Sequence, residues 1–479
     1  MATSSRWRAT RLVYLISAML AVLQGQALTQ PAFNVLVNFD STNGANPAYM
    51  SLVQGEDGNF YGTTGSGGTA DVGTVFRVVP GGTLTTLHSF SGTDGSSPIS
   101  GLVLATDGFF YGTTQGGSGS AYAGTVFKID PADGTLTTLH EFNNSDGEEP
   151  GAPLMQATDG NLYGTTAWGG AKNYGTVFKI SPDGAFTTVH SFDLTDGALP
   201  YGALIQASDG NLYGTTYNGG SGDCAGSTTG GCGTIYMITR RGVLTTLYNF
   251  GPVNGNFPFS GLVQAMDGNF YGTTAYGGPS SSKCPSGTCG TVYRFERNGV
   301  VTVLHDFDET DGDAPTAGLI QGANGILYGT TSYGGAYNGG TIFAIRRSGT
   351  TTVLHMFDDA DGVALFGGLC EGTNAIFYGA AYEGGSTKLL GTLYSLSTGL
   401  TPFVTFIRAA GRIGQTGGIL GQGFTGTTSV SLNGIPTSFT VISDTFLKAT
   451  VPAGATTGFV TVTTPNGRLT SNVPFHVIP

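Results

Sequence analysis

Five histidines recur at one position of a repeating frame: His88, His140, His190, His305 and His355. Imidazole is the commonest metal ligand and a general base near neutral pH, so such a row invites a metal or catalytic reading. The equivalent position holds Tyr248 in one copy and Val37 in another, and Val37 offers no ligand atom. Equivalent positions of a symmetric array are also held apart by the symmetry. The expected role of these histidines is therefore packing or hydrogen bonding inside each copy. The acidic turns FDETDGD (307–313) and FDDADG (357–362) present Asp308, Asp311, Asp313, Asp358, Asp359 and Asp361. Calcium, a hard cation needing several oxygens, would suit such turns. Other copies keep the turn with fewer acids, as in FSGTDG (90–95) and FGPVNG (250–255). Asp and Asn favour turns for local reasons alone, so turn formation is the expected role and neither metal nor cofactor is expected.

Catalytic signatures are missing from the sequence: no G-x-S-x-G, no H-E-x-x-H and no G-x-x-x-x-G-K-[ST]. A carboxylate pair for glycoside cleavage stays open, because separation in space is not readable from a chain. The most suggestive candidates are aromatic. Trp168, Tyr276 and Tyr333 stand just before a Gly-Gly step, and Asn218 and Glu383 hold the same slot in two other copies. Flat rings with polar tips suit stacking on sugar faces. The alternative is that these rings pack between copies.

The elements that must position these residues are short strands. A Tyr-Gly pair recurs seven times, at Tyr61, Tyr111, Tyr163, Tyr213, Tyr271, Tyr328 and Tyr378. Most copies hold four apolar runs separated by glycine-rich turns, and a period near 50 with four strands per unit predicts an all-β, seven-bladed β-propeller over 33–399. Asp-Gly, as at Asp159-Gly160, joins the first strand to the second and marks a hairpin. The fourth strand ends in phenylalanine at Phe39, Phe90, Phe142, Phe192, Phe250, Phe307 and Phe357. Phe39 precedes the first full copy, whereas the last copy stops after its third strand, GTLYSLS (391–397). The spare N-terminal strand is thus expected to complete the last blade and close the ring, leaving no exposed edge. Short turns are expected on one face. The variable loops, including the insertions at 217–232 and 275–289, are expected on the other, where binding residues commonly reside.

The chain has 479 residues, of which 81 are glycine, and a net charge of −12. That balance argues against nucleic acid and anionic membranes as partners. Arg6, Arg8 and Arg11 precede the apolar run 12–23, with Gly25 and Ala27 after it, the pattern of an export signal over 1–27. An extracellular, cell-surface or periplasmic protein is expected, with no membrane insertion once the signal is cleaved. Export favours disulfides, and Cys224–Cys232 and Cys284–Cys289 are the expected local bridges. Cys370, inside an apolar run, is expected to be an inert thiol.

The frame L-x-x-A-x-D-G-N-x-Y-G-T-T-x-x-G-G…G-T-V-F-K-I, cleanest at 154–180, resembles the GloVer tandem repeat of secreted bacterial proteins. The resemblance implies export and a surface location, and no catalytic residue. Kelch repeats share the period but not the tryptophan. Residues 402–479 form a second unit whose segments 421–434 and 451–467 resemble the IPT/TIG immunoglobulin-like domain, implying a β-sandwich used for binding or spacing. The leading expectation is an exported, monomeric, non-catalytic protein binding polysaccharide or a surface protein on its long-loop face. A glycan lyase or hydrolase on that face, and a structural spacer, are the alternatives.

Overall fold

The Asp-Gly pairs close hairpins for a reason visible in their backbone. Gly58, Gly108, Gly160, Gly210, Gly268 and Gly325 are left-handed, with φ between 78° and 88°, a region open to glycine without steric cost. The aspartate before five of these glycines also works across the turn. Asp159 accepts a hydrogen bond from the Tyr163 hydroxyl at 2.9 Å, and the pair repeats at Tyr61–Asp57, Tyr111–Asp107, Tyr213–Asp209 and Tyr271–Asp267. In the last two copies Asn324 and Asn374 donate to Tyr328 and Tyr378 instead. The recurrent tyrosine is thus the latch of its own hairpin. The glycine after it makes room: a Cβ at Gly164 would stand 2.5 Å from the Phe178 ring on the neighbouring strand and 2.6 Å from Leu154.

The computed structural model describes residues 31–478, except 118–122, 225–229, 279–283, 285–288 and 386–388. The expected export signal, 1–27, lies outside the described residues. In the cleanest repeat the strands Met155–Gln156, Leu162–Thr166, Thr176–Ile180 and Phe186–Ser191 form one antiparallel sheet. Among the described residues, seven such four-stranded sheets cover the repeat region. The first strand of each is only two residues long, shorter than the apolar runs suggest. Preceding residues bend away to line a central channel rather than extending the ladder.

The last sheet is completed from the other end of the chain. Ala32–Asn38 pairs antiparallel with Thr392–Ser397, setting Phe33 opposite Leu396 and Val37 opposite Leu393. Phe39, next in line, is fully buried in a core with Phe60, Phe76 and Tyr378, which joins the last sheet to the first. The Thr373 N–H donates to Gln54 Oε1 at 2.9 Å across that junction, and the Phe60 and Tyr378 rings lie 4.0 Å apart. Similar ties run between successive sheets, such as Thr63 Oγ1 to the Ser100 carbonyl (2.7 Å) and Thr158 N to Gln206 Oε1 (2.9 Å).

The two faces differ. Arg240, Arg297 and Arg347, on third-to-fourth turns, reach Asp159, Asp209 and Asp267, on first-to-second turns of the preceding sheet, at 3.5–4.0 Å. Both short turns therefore share one face. On the other face, bridges such as Glu148↔Trp168 and Asp313↔Tyr333 tie each inter-sheet segment to the long loop of its sheet.

Beyond Thr401, two further four-stranded sheets share one core, with Val404, Ile419 and Leu447 from one meeting Val430, Val460 and Val462 from the other. The turn Asn433-Gly434 is left-handed at both residues (φ 48° and 83°), as a tight hairpin needs. This unit sits on the short-turn face. Thr445 Oγ1 donates to the Glu56 carbonyl at 2.7 Å, and Leu420 and Phe446 join a core with Tyr61 and Leu104.

Candidate functional site

The five residues expected to carry ligand contacts occupy one position that recurs in all seven sheets. Ser66, Gly116, Trp168, Asn218, Tyr276, Tyr333 and Glu383 each form the same isolated bridge to the inter-sheet segment. Tyr276 and Tyr333 are 38% and 40% exposed, and Glu383 is exposed. Trp168 is half-buried. Asn218 departs from expectation, being fully buried. The insertion after it, stapled by Cys224–Cys232, folds back so that Gly231 bridges Gly219. Cys284–Cys289 staples the matching insertion of the next sheet.

A second set of rings, from the inter-sheet segments, meets these. At one equivalent position Asn46, Ser97, Glu149, Leu199, Phe257, Ala314 and Ala364 are all left-handed, with φ of 50–61°. Each non-glycine residue so held costs roughly 1 kcal/mol or more. The carbonyl of each accepts an N–H from the long loop of its own sheet, as in Ala167 N to Glu149 O (3.1 Å). Six of the seven precede proline. The kink turns the next side chains inward over the channel: Tyr49, Tyr201, Phe259 and Phe366. Tyr49 lies 5.0 Å from Phe259 and 5.3 Å from Phe366, and Tyr201 stacks on Phe259 at 4.8 Å. These rings come from different sheets and touch over the axis.

The two sets are continuous. Tyr217 packs on Phe257 (5.0 Å), which meets Tyr276 edge-on (6.1 Å), while Phe366 meets Tyr333 (6.0 Å) and Tyr382 (5.4 Å). Beneath lies a channel of about 200 Å³ walled by Tyr49, Tyr201, Phe259, Thr316 and Phe366. Burial, with Glu149 next in effect, pushes the Tyr201 phenol up to about 12, and burial raises Tyr217 to a similar value. These phenols are neutral donors at any physiological pH. Burial, then the neighbouring Glu148, raises the Glu149 carboxyl, and burial, then Glu309, raises Asp313. The mouth is an aromatic surface fringed by carboxylates. It can stack on flat apolar faces and exchange hydrogen bonds with hydroxyls.

Sequence reasoning located the outer rings and overlooked the inner four. A signal existed: an aromatic residue close behind the x-Pro step, as in Pro200-Tyr201 and Pro258-Phe259. It occurs in only some copies, so the repeat frame hides it.

The histidines act within their own sheets. Each Nε2 lies 2.7–3.2 Å from an aspartate six residues on: His88–Asp94, His140–Asp146, His190–Asp196, His305–Asp311 and His355–Asp361. Where tyrosine replaces histidine, asparagine replaces aspartate, and Asn254 donates to the Tyr248 hydroxyl at 2.6 Å. The acidic turns use their carboxylates locally. Asp308 Oδ1 accepts from Thr310, and Asp358 Oδ1 accepts from the Ala360 and Asp361 N–H groups. Among the described residues no group of three or more His, Cys, Asp or Glu could hold a metal ion. Cys370 lies on an inner strand, its thiol pushed up to about 12 by burial. Among the described residues no helix is long and apolar enough to cross a membrane.

No curated protein matches the chain. Among solved structures it is similar to a candidate 6-phosphogluconolactonase from Bacteroides fragilis, at 18% identity over 68% of this chain and 90% of that one, with a TM-score of 0.42. It is also similar to TolB from Acinetobacter baumannii, at 16% identity over 73% of this chain and 69% of that one, with a TM-score of 0.35. Residues 26–227 match the family model of the Gloeobacter/Verrucomicrobia repeat.

Proposed function

We propose that this is an exported, non-catalytic binding protein that takes polysaccharide, or a sugar-bearing surface protein, at the aromatic mouth of its channel. In this proposal the seven sheets are the blades of a closed propeller, and the unit after Thr401 is an IPT/TIG-like sandwich serving as spacer. The carrying observation is the continuous aromatic surface linking Tyr201, Phe259, Tyr49 and Phe366 over the axis to Tyr333 at the rim. Sugar rings present apolar faces and equatorial hydroxyls, which such rings and phenols complement. A bland glycine and serine face would have favoured a pure spacer instead.

The test is retention on immobilised polysaccharides chosen by a glycan array. Replacing both Tyr276 and Tyr333 by alanine is expected to reduce retention about tenfold or more, since each lost stacking contact is worth about 1 kcal/mol. The melting temperature should hold, because both rings are well exposed. Product analysis on any hit separates binding from turnover. Undiminished retention in the double variant, or release of shortened glycan, would sink the proposal.

A further inference from the structure

A cavity larger than the channel lies at its opposite end, where the C-terminal unit meets the short-turn face. It measures about 480 Å³ and is walled by Met155, Ile205, Leu262, Val263 and Leu319 on one side and by Val473 and Ile478 on the other. Leu262 and Leu319 also line the channel under the aromatic mouth, so the two spaces share a wall. Three glutamines face this cavity, and each is already committed: Gln156, Gln206 and Gln264 donate to hairpin carbonyls and accept N–H groups from the preceding sheet.

Two groups are not committed. Arg408 is half-buried on the wall, and its Nε donates to the Ala410 carbonyl at 3.1 Å. The outer two nitrogens of its fork have no carboxylate within ion-pair reach among the described residues, and burial alone perturbs the group. The His476 backbone is held by Ala409, while its half-buried ring lines the same cavity. A smaller lobe of about 300 Å³ on the other side of Arg408 holds Lys448 and Glu56. Burial raises the Glu56 carboxyl, and the cation that opposes this is Lys448, not Arg408. In a chain with 31 acidic and 19 basic residues, a partly desolvated arginine with an open fork is costly unless an anion completes it.

We propose that this cleft is a second binding site, for a small ligand bearing one oxyanion. The Arg408 fork takes a carboxylate or phosphate group through two parallel hydrogen bonds. His476 and Thr158, both on the wall, are placed to meet polar groups on the rest of the molecule. The apolar wall packs against its body. The site is separate from the aromatic mouth and does not depend on it.

Calorimetric titration of the full mature chain tests this with three probes: D-galacturonate, inorganic phosphate and neutral D-galactose. Heat from galacturonate alone identifies a carboxylate ligand, and heat from phosphate identifies a phosphate ligand. Either should weaken about tenfold or more in Arg408→Gln, as expected when a desolvated charge pair loses one member. Arg408→Lys, which keeps the charge but not the fork, should retain the fold and bind with intermediate strength. The Tyr276/Tyr333 double variant should bind these probes normally. No heat from either anion, galactose binding as well as galacturonate, or full binding by Arg408→Gln would each overturn the site.

Discussion

Glu371 shows what one substitution inside a repeat does. Five other copies hold glutamine at this position, where the amide donates to the hairpin carbonyl, as Gln321 does to Gly325 (3.1 Å). Glu371 keeps the acceptor half of that pattern, Oε2 taking the Ala323 N–H at 2.9 Å. Its other oxygen is buried without a partner. Burial pushes the carboxyl from its ordinary value near 4.5 up to about 7. Only the protonated acid can imitate the amide donor. Between those two values the folded state holds a proton that the unfolded chain has released. Stability is therefore greatest below about pH 4.5 and falls as pH rises through 7. Glu371→Gln should raise stability at pH 8 by about 2 kcal/mol and flatten the pH dependence across that window. Urea melts at pH 5 and pH 8 check this; equal gains at both pH values would refute it.

At the scale of the element, the recurrent Tyr-Gly pair couples two neighbouring strands. The tyrosine hydroxyl latches the hairpin, and the glycine lets the ring on the third strand lie flat over the second. Gly164→Ala would drive a methyl group to 2.5 Å from Phe178 and 2.6 Å from Leu154. Both are buried in a tight core, so overpacking should cost about 1–3 kcal/mol. Combining it with Phe178→Leu should recover part of the loss, because the obstructing ring is gone. A thermal melt of Gly164→Ala superimposing on wild type would show that the sheet tolerates the extra carbon. Most of this element was readable in the chain, because Asp-Gly turns and alternating apolar residues act over a few positions. The brevity of the inner strand was not. It follows from the left-handed kink before it, at Glu149 and its equivalents, which bonding to the neighbouring loop holds in place. The burial of Asn218 was likewise hidden, since it depends on how a stapled insertion folds back.

At the scale of the molecule, the strand Ala32–Asn38 joins the ends of the repeat region through its pairing with Thr392–Ser397. A chain beginning at Ser41 would leave the edge of Thr392–Ser397 bare and remove Phe39 from its core. Burying a side chain of that size is worth about 2–3 kcal/mol, before the lost ladder is counted. Such a chain should unfold at lower urea and over a broader range, and a peptide spanning 31–40 added in trans should restore the midpoint. No difference between full and truncated chains would mean that the strand does not secure the array. The C-terminal unit occupies the short-turn face, which leaves the aromatic face open to a large ligand.

The chain by itself determined the repeat, its turns, the order of its strands, the spare first strand and the structural role of the histidines within their own copies. These depend on residues close in sequence or on a period that can be counted. Only the tertiary structure decided which side chains converge. Tyr49, Tyr201, Phe259 and Phe366 lie far apart in the chain and meet over the axis because of how the sheets curve together. Arg408 faces a cavity whose other wall is built from segments about 90 to 250 residues earlier in the chain. Convergence of that kind is set by the angle between packed sheets, which no local pattern encodes.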